Sequence, residues 1–208
     1  MKRWLLILSA LSVLLLSGCG AKSASTQQTS TTNKPGATIA TAPTRAELKM
    51  EECYTFIEHD NGTYSYEVTD CYGETILAAE EEYRPVSFEK LNDDVLIVQG
   101  QAGVGIGARW ARFCDIRTGR VSQTRMFYLA AWKDRAAFVD YRTDDYHVFV
   151  TDPFDSDVYY EVYTMDGVSL SKGDEPVADF ELSKKGILSV TYPTKSGEKT
   201  IEIDLNAK

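Results

Sequence analysis

The chain has 208 residues, with 31 Asp and Glu against 22 Lys and Arg, a net charge of −9. Lys2, Arg3, Lys22 and Lys34 are the only charges before residue 45, so removing these four takes −9 to −13 for residues 45–208. A segment that acidic is repelled by phosphate backbones and by anionic membrane surfaces, which argues against nucleic acid as a partner.

The N-terminus reads as an address. Lys2-Arg3 precede an uncharged, mostly apolar run from Trp4 to Leu16, and Leu16-Ser17-Gly18-Cys19 closes it. A basic head, an apolar run of about 7 to 15 residues and small residues at the cut make an export signal, too short for a span of about 20. Leu-Ser-Gly-Cys matches the bacterial lipobox. The expectation is that residues 1–18 are removed and that Cys19 becomes a diacylglycerol-bearing terminus, tethering the protein to the cell membrane on its extracytoplasmic face.

Residues 19–44 follow as a tether. Ten of the 25 residues from Gly20 to Thr44 are Ser or Thr, and Ile39 is the one large aliphatic. Such a segment has too little apolar surface to offset the entropy of ordering. As a random coil it would span about 25 to 30 Å.

Residues 45–208 are long enough for one domain with a sizeable core. Thr44-Arg45-Ala46-Glu47 has capping-box spacing and predicts a short helix through Glu52. Beyond it the period is two. Tyr64, Tyr66 and Val68 alternate with polar residues, as do Ile201, Ile203 and Leu205, which is the pattern of half-buried strands. Asn61-Gly62, Asp166-Gly167 and Ser196-Gly197, with Thr118-Gly119 and Lys185-Gly186, supply turn signals. The segments 75–83 and 126–141 are open to either helix or strand on propensity.

A weak repeat recurs at Tyr66–Ile76, Phe113–Val121 and Tyr160–Val168, with turn glycines at Gly73, Gly119 and Gly167. Their spacing of 46 and 48 residues suits propeller-like blades, a stack of meanders or a sandwich. The expected fold is mainly β, built of antiparallel meanders.

Four candidate sites carry chemistry. A hairpin at Asn61-Gly62 brings Cys53 near Cys71, and export favours oxidation, so a Cys53–Cys71 disulfide worth about 3 kcal/mol is expected, with Cys114 a buried thiol. Asp152, Asp155 and Asp157 lie within six residues and offer oxygen ligands for calcium, although Asp-Pro and Asp-Ser are also ordinary turn formers. The glycines at 100, 103, 105 and 107 lack both a following helix and a Gly-Lys-Ser/Thr, and read as bulges or a close backbone approach rather than a nucleotide loop. His59 and His147 are the two histidines, neither at ligand spacing from a cysteine pair. Catalytic signatures such as Gly-x-Ser-x-Gly and His-Glu-x-x-His are absent from the sequence.

Val95–Gly100, the glycine segment 103–107, Ala111–Ser122, Val148–Tyr160 and Leu188–Pro193 together resemble a group of small secreted proteins and lipoproteins of Firmicutes. The resemblance covers residues 86–205 and implies a Gram-positive host, with the domain outside the plasma membrane. It implies no catalytic residue. The sequence thus leads to a lipid-anchored β-domain that binds a cell-wall polymer, a peptide or an envelope protein, with Trp110, Trp132 and the 12 tyrosines as candidate contact residues. The alternative is an envelope hydrolase that uses acidic residues in a cleft.

Overall fold

Alternating patterns and turn glycines resolve into four antiparallel meanders in chain order. The computed structural model describes residues 49–103, 109–142, 145–155, 157–171 and 175–207, all within the compact unit Thr41–Lys208. The first sheet holds β1 (Tyr54–Glu58), β2 (Tyr64–Thr69) and β3 (Thr75–Glu82). The second holds β4 (Ser87–Lys90), β5 (Val95–Gln101), β6 (Arg109–Asp115) and β7 (Arg120–Val121), with β8 (Arg125–Met126) also paired to β6. The third runs β9 (Tyr128–Trp132), β10 (Arg135–Arg142), β11 (Asp145–Thr151) and β12 (Tyr159–Thr164). The fourth is β13 (Asp179–Leu182), β14 (Ile187–Thr194) and β15 (Gly197–Asp204). The described end of the expected helix is a single 3-10 turn, Met50–Glu52.

The sheets pack in sequence through three cores. Leu96, Val98, Cys114 and Ile116 of the second sheet meet Tyr66, Val68 and Leu77 of the first. The intervening residues Val95, Ile97, Ala111 and Phe113 meet Tyr128, Ala131, Ala136 and Phe138 of the third. Leu129, Ala137, Val139, Val148 and Val150 then meet Leu188, Val190, Tyr192 and Ile203 of the fourth. A strand buried on both faces has no polar side, which explains the unbroken Val-Leu-Ile-Val of β5. No core cluster of described residues joins the first sheet to the fourth.

The ambiguous segments are strands. The 75–83 segment is β3, and 126–141 supplies β8, β9 and most of β10. Ala130, Ala131, Ala136 and Ala137 are all buried, so in a doubly covered sheet these small side chains let the layers approach, and tertiary packing overrides helix propensity.

The repeat glycines have one physical job. Gly73, Gly119 and Gly167 sit at φ of +81°, +72° and +73°, where a Cβ is strained. The first two turns lie side by side, because the Cys71 N–H donates to the Ile116 carbonyl at 2.7 Å.

Candidate binding site

The third sheet is longer than the layer that covers it. On the face turned to the second sheet, Ala136 and Phe138 are covered, while Asp140 and Arg142 of β10 and Tyr159 and Val162 of β12 extend past that cover, with Phe149 of β11 buried beneath Arg142. There the chain crosses from β8 to β9 through Phe127. Thr124, Arg125, Met126 and Phe127 form one wall of a cavity of about 300 Å³. Phe138, Val139, Asp140, Arg142, Phe149, Thr151 and Tyr159 form the rest.

Two irregularities make this opening. Phe127 has φ of +56°, the left-handed region that a bulky residue rarely adopts. The pairing of β10 with β9 also shifts register between Ala137 and Phe138, and the Val139 N–H donates to the Phe127 carbonyl at 3.1 Å. Strain of this kind is held in place by surrounding structure and gathers at ligand sites. Met126 is 41 % exposed, Phe127 44 %, Tyr159 40 % and Val162 50 %, so the rim is apolar and wet at once.

The two arginines differ. Arg142 donates from Nε to Asp140 Oδ2 at 2.7 Å and from Nη1 to the Tyr159 hydroxyl at 3.0 Å, and lies over the Phe149 ring at 4.5 Å. Those hydrogen bonds hold its charge firmly. Arg125 lies over Phe138 at 5.8 Å, but its Nε–H is buried without an acceptor. Burial lowers its affinity for the proton, opposed by Asp155 first and then by Tyr159, Asp157 and Asp152.

That assigns work to the aspartate loop. Asp152 Oδ1 accepts from the N–H groups of Phe154 and Asp155 at 2.7 and 2.9 Å, and Asp155 Oδ1 accepts from Asp157 N–H at 3.0 Å. The carboxylates form turns and balance Arg125. Among the described residues, no three His, Cys, Asp or Glu side chains are grouped to hold a metal.

The cysteine expectation meets a different register. His59 N–H donates to the Thr63 carbonyl at 2.8 Å, so the loop has three residues and Cys53 lies across from Thr69, further from Cys71 than a two-residue turn would give. Cys53, Cys71 and Cys114 are free thiols, and the expected Cys53–Cys71 bond is not formed. The Cys53 and Cys71 thiols donate instead to the carbonyls of Lys49 and Arg117, each at 3.7 Å. Burial raises the Cys53 thiol, helped by nearby Cys71, and pushes Cys114 up to about 12.

The remaining candidates are placed as follows. Gly100 pairs with Trp110, and a Cβ there would meet the indole at 2.8 Å, a close approach as the sequence suggested. Residues 104–108, with Gly105 and Gly107, lie outside the described residues, as does Cys19. His147 uses both ring nitrogens, near the Arg142 carbonyl at 3.2 Å and the Thr164 hydroxyl at 3.3 Å. His59 Nε2 lies 2.9 Å from Ser65 Oγ. Trp132 Nε1–H donates to Asn206 Oδ1 at 2.8 Å, which ties the third sheet to the C-terminus.

Sequence reasoning overlooked Arg125, Phe127 and Arg142, and took Tyr159 only as one of the 12 tyrosines. The available signal was Asp140-x-Arg142, two charges on one face of a strand whose next residues inward, Phe138 and Ala136, are apolar.

No protein-family model, curated protein or solved structure matches this chain.

Proposed function

We propose that the protein is a bacterial lipoprotein, anchored through Cys19 on the extracytoplasmic face of the membrane, whose β-domain binds a cell-envelope component. The lipobox Leu16–Cys19 supports the anchor and the Ser/Thr-rich residues 20–44 support a spacer. The observation that carries the binding role is the cavity at the margin of the third sheet, rimmed by exposed Met126, Phe127 and Tyr159. Exposed apolar side chains beside a cavity are the usual mark of an interaction site. The likeness to secreted proteins of Firmicutes supports the same compartment. The anchor is tested by Cys19→Ser, which should leave an unprocessed precursor carrying no labelled fatty acid; normal acylation would remove the anchor reading. Binding is tested by passing envelope extract over the full chain. A component retained by the native protein and lost with Phe127→Gly supports this face as the site, and equal retention by both rejects it.

A hydrolase reading has one observation in its favour. His59, Asp60, Ser65, Glu80 and Glu81 line a cavity of about 510 Å³ on the first sheet, and Glu81 has φ of +59°. Acid–base work needs a base within hydrogen-bond reach of its partner, which His59 and Ser65 satisfy. Cleavage of an envelope polymer that stops with His59→Gln would establish this reading, and cleavage that persists in that variant would reject it.

A further inference from the structure

We propose that the free edge of β12 takes up an extended segment of a partner protein, alternating basic and apolar residues, as an added strand of the third sheet. The proposal deepens the binding reading above and rests on it, because Tyr159 of β12 also stands on the cavity rim.

The backbone makes the site. β12 ends the order of its sheet, and among the described residues no strand pairs with its outer side. The Met165 N–H donates to the Tyr146 carbonyl at 2.8 Å, one step beyond the pairing of His147 with Thr164. Antiparallel pairing alternates, so Tyr163 and Glu161 also turn their N–H and C=O groups to β11, while Thr164 and Val162 turn theirs outward. The register shift at Thr151 falls at the start of β12 and leaves residues 161–164 regular. Thr164 is exposed and Val162 is 50 % exposed, so a partner strand can reach these groups.

Other edges of the molecule are guarded, since charge and shortness keep an exposed strand from pairing. β15 carries Glu198, Lys199, Glu202 and Asp204, β3 ends in three glutamates, and β7 and β8 have two residues each. β12 reads Tyr-Tyr-Glu-Val-Tyr-Thr, with no Lys, Arg or Pro, and its one charge, Glu161, accepts from the Tyr163 hydroxyl. A bare edge of this kind suits strand addition, in which main-chain pairing gives affinity and side chains give selectivity.

Side chains then select the partner, because residues directly opposite on neighbouring strands share a face. Val162 and Tyr159 lie on the face turned to the second sheet, 50 % and 40 % exposed, so partner residues on that face gain by being apolar. The opposite face is acidic. There burial first, then Glu161 and Asp204, push the Tyr163 hydroxyl up to about 12, and burial, Asp152 and Asp134 raise Tyr160 against Arg135. Lys or Arg is favoured on that side, and the −13 of residues 45–208 draws a basic segment in from solution. A second copy of the chain is the competing occupant, but two units of that charge repel one another.

The test is fluorescence anisotropy of the labelled, capped peptide Lys-Val-Lys-Val-Lys-Val-Lys with the full chain in detergent. Binding should be saturable, weaken with salt, and be at least about tenfold tighter than that of the Glu-Val counterpart, which sets like charges together. It should also slow amide hydrogen exchange at Val162 and Thr164. Val162→Pro removes an outward N–H, a change that edge strands tolerate, and should weaken the peptide by about fivefold, the worth of one hydrogen bond. Val162→Lys leaves the backbone intact and should weaken it by a similar factor, through a like charge on the edge. Absence of saturable binding, equal affinity for the acidic peptide, affinity unchanged in both variants as pairing at β1 would give, or a dimer that Val162→Pro separates overturns the proposal. If the peptide fails while the Phe127-dependent envelope component is still retained, the strand assignment falls and the binding reading stands. If that retention is also missing, both fall.

Discussion

The junction between the third and fourth sheets and the junction between the second and third use the same materials to opposite ends. The first is filled: Leu188, Val190, Tyr192 and Ile203 are wholly buried against Val139, Val148 and Val150, and the Trp132–Asn206 hydrogen bond closes its margin. The second is equally dry at Phe113 and Ala136 but opens at its margin, where Phe127 is strained and Met126 is exposed. A margin that burial alone would have closed has been left open, so substitutions at the two margins should separate stability from binding.

The largest effect belongs to the filled junction. Leu188→Ala removes a side chain with no exposure and should cost about 3 kcal/mol, lowering the Tm by roughly 6 to 12 °C in a thermal melt, with envelope retention intact at lower temperature. A change of a degree or less would mean that this core is loosely packed.

Gly186→Ala sharpens the same side. Gly186 has φ of +78°, and an added Cβ would meet Asn206 Nδ2 at 2.6 Å and the Trp132 indole, both parts of the closing hydrogen bond. Backbone strain and crowding together should cost about 2 kcal/mol, a fall of roughly 4 to 8 °C. If the melt is unchanged, that margin is not closed as described.

Much of this architecture was legible in the residues. The alternation in Tyr64-x-Tyr66-x-Val68 and Ile201-x-Ile203-x-Leu205 named two strands, and turn pairs named hairpins because only a few residues tolerate positive φ. The alanine-rich stretch of β9 and β10 was not legible, since what makes alanine fit there is a neighbouring sheet contributed from elsewhere in the chain. The length of the hairpin loop after β1 was not legible, because Asn61-Gly62 serves two-residue and three-residue loops alike; the three-residue loop formed sets Cys53 across from Thr69 rather than Cys71. The cavity escaped for a deeper reason. It is an absence of cover over one end of the third sheet, and cover depends on the lengths of strands in two sheets, which no local pattern encodes.

The thiols offer a smaller test, in the first junction. Native alkylation near pH 8 should label part-exposed Cys71 and spare Cys114, whose burial keeps it protonated until about pH 12, and Cys53, raised in the same sense. Labelling should not alter the Tm by more than a degree or two. Cys71 that resists label until reduction would instead reveal the Cys53–Cys71 link in the exported protein.

The central claim, that the open margin serves binding rather than stability, is tested most directly by Phe127→Gly. Glycine relieves the positive φ while removing the exposed ring, so the Tm should hold or rise by roughly 2 to 4 °C, and the envelope component should no longer be retained. A Tm that drops as far as that of Leu188→Ala, with retention undiminished, would contradict the claim.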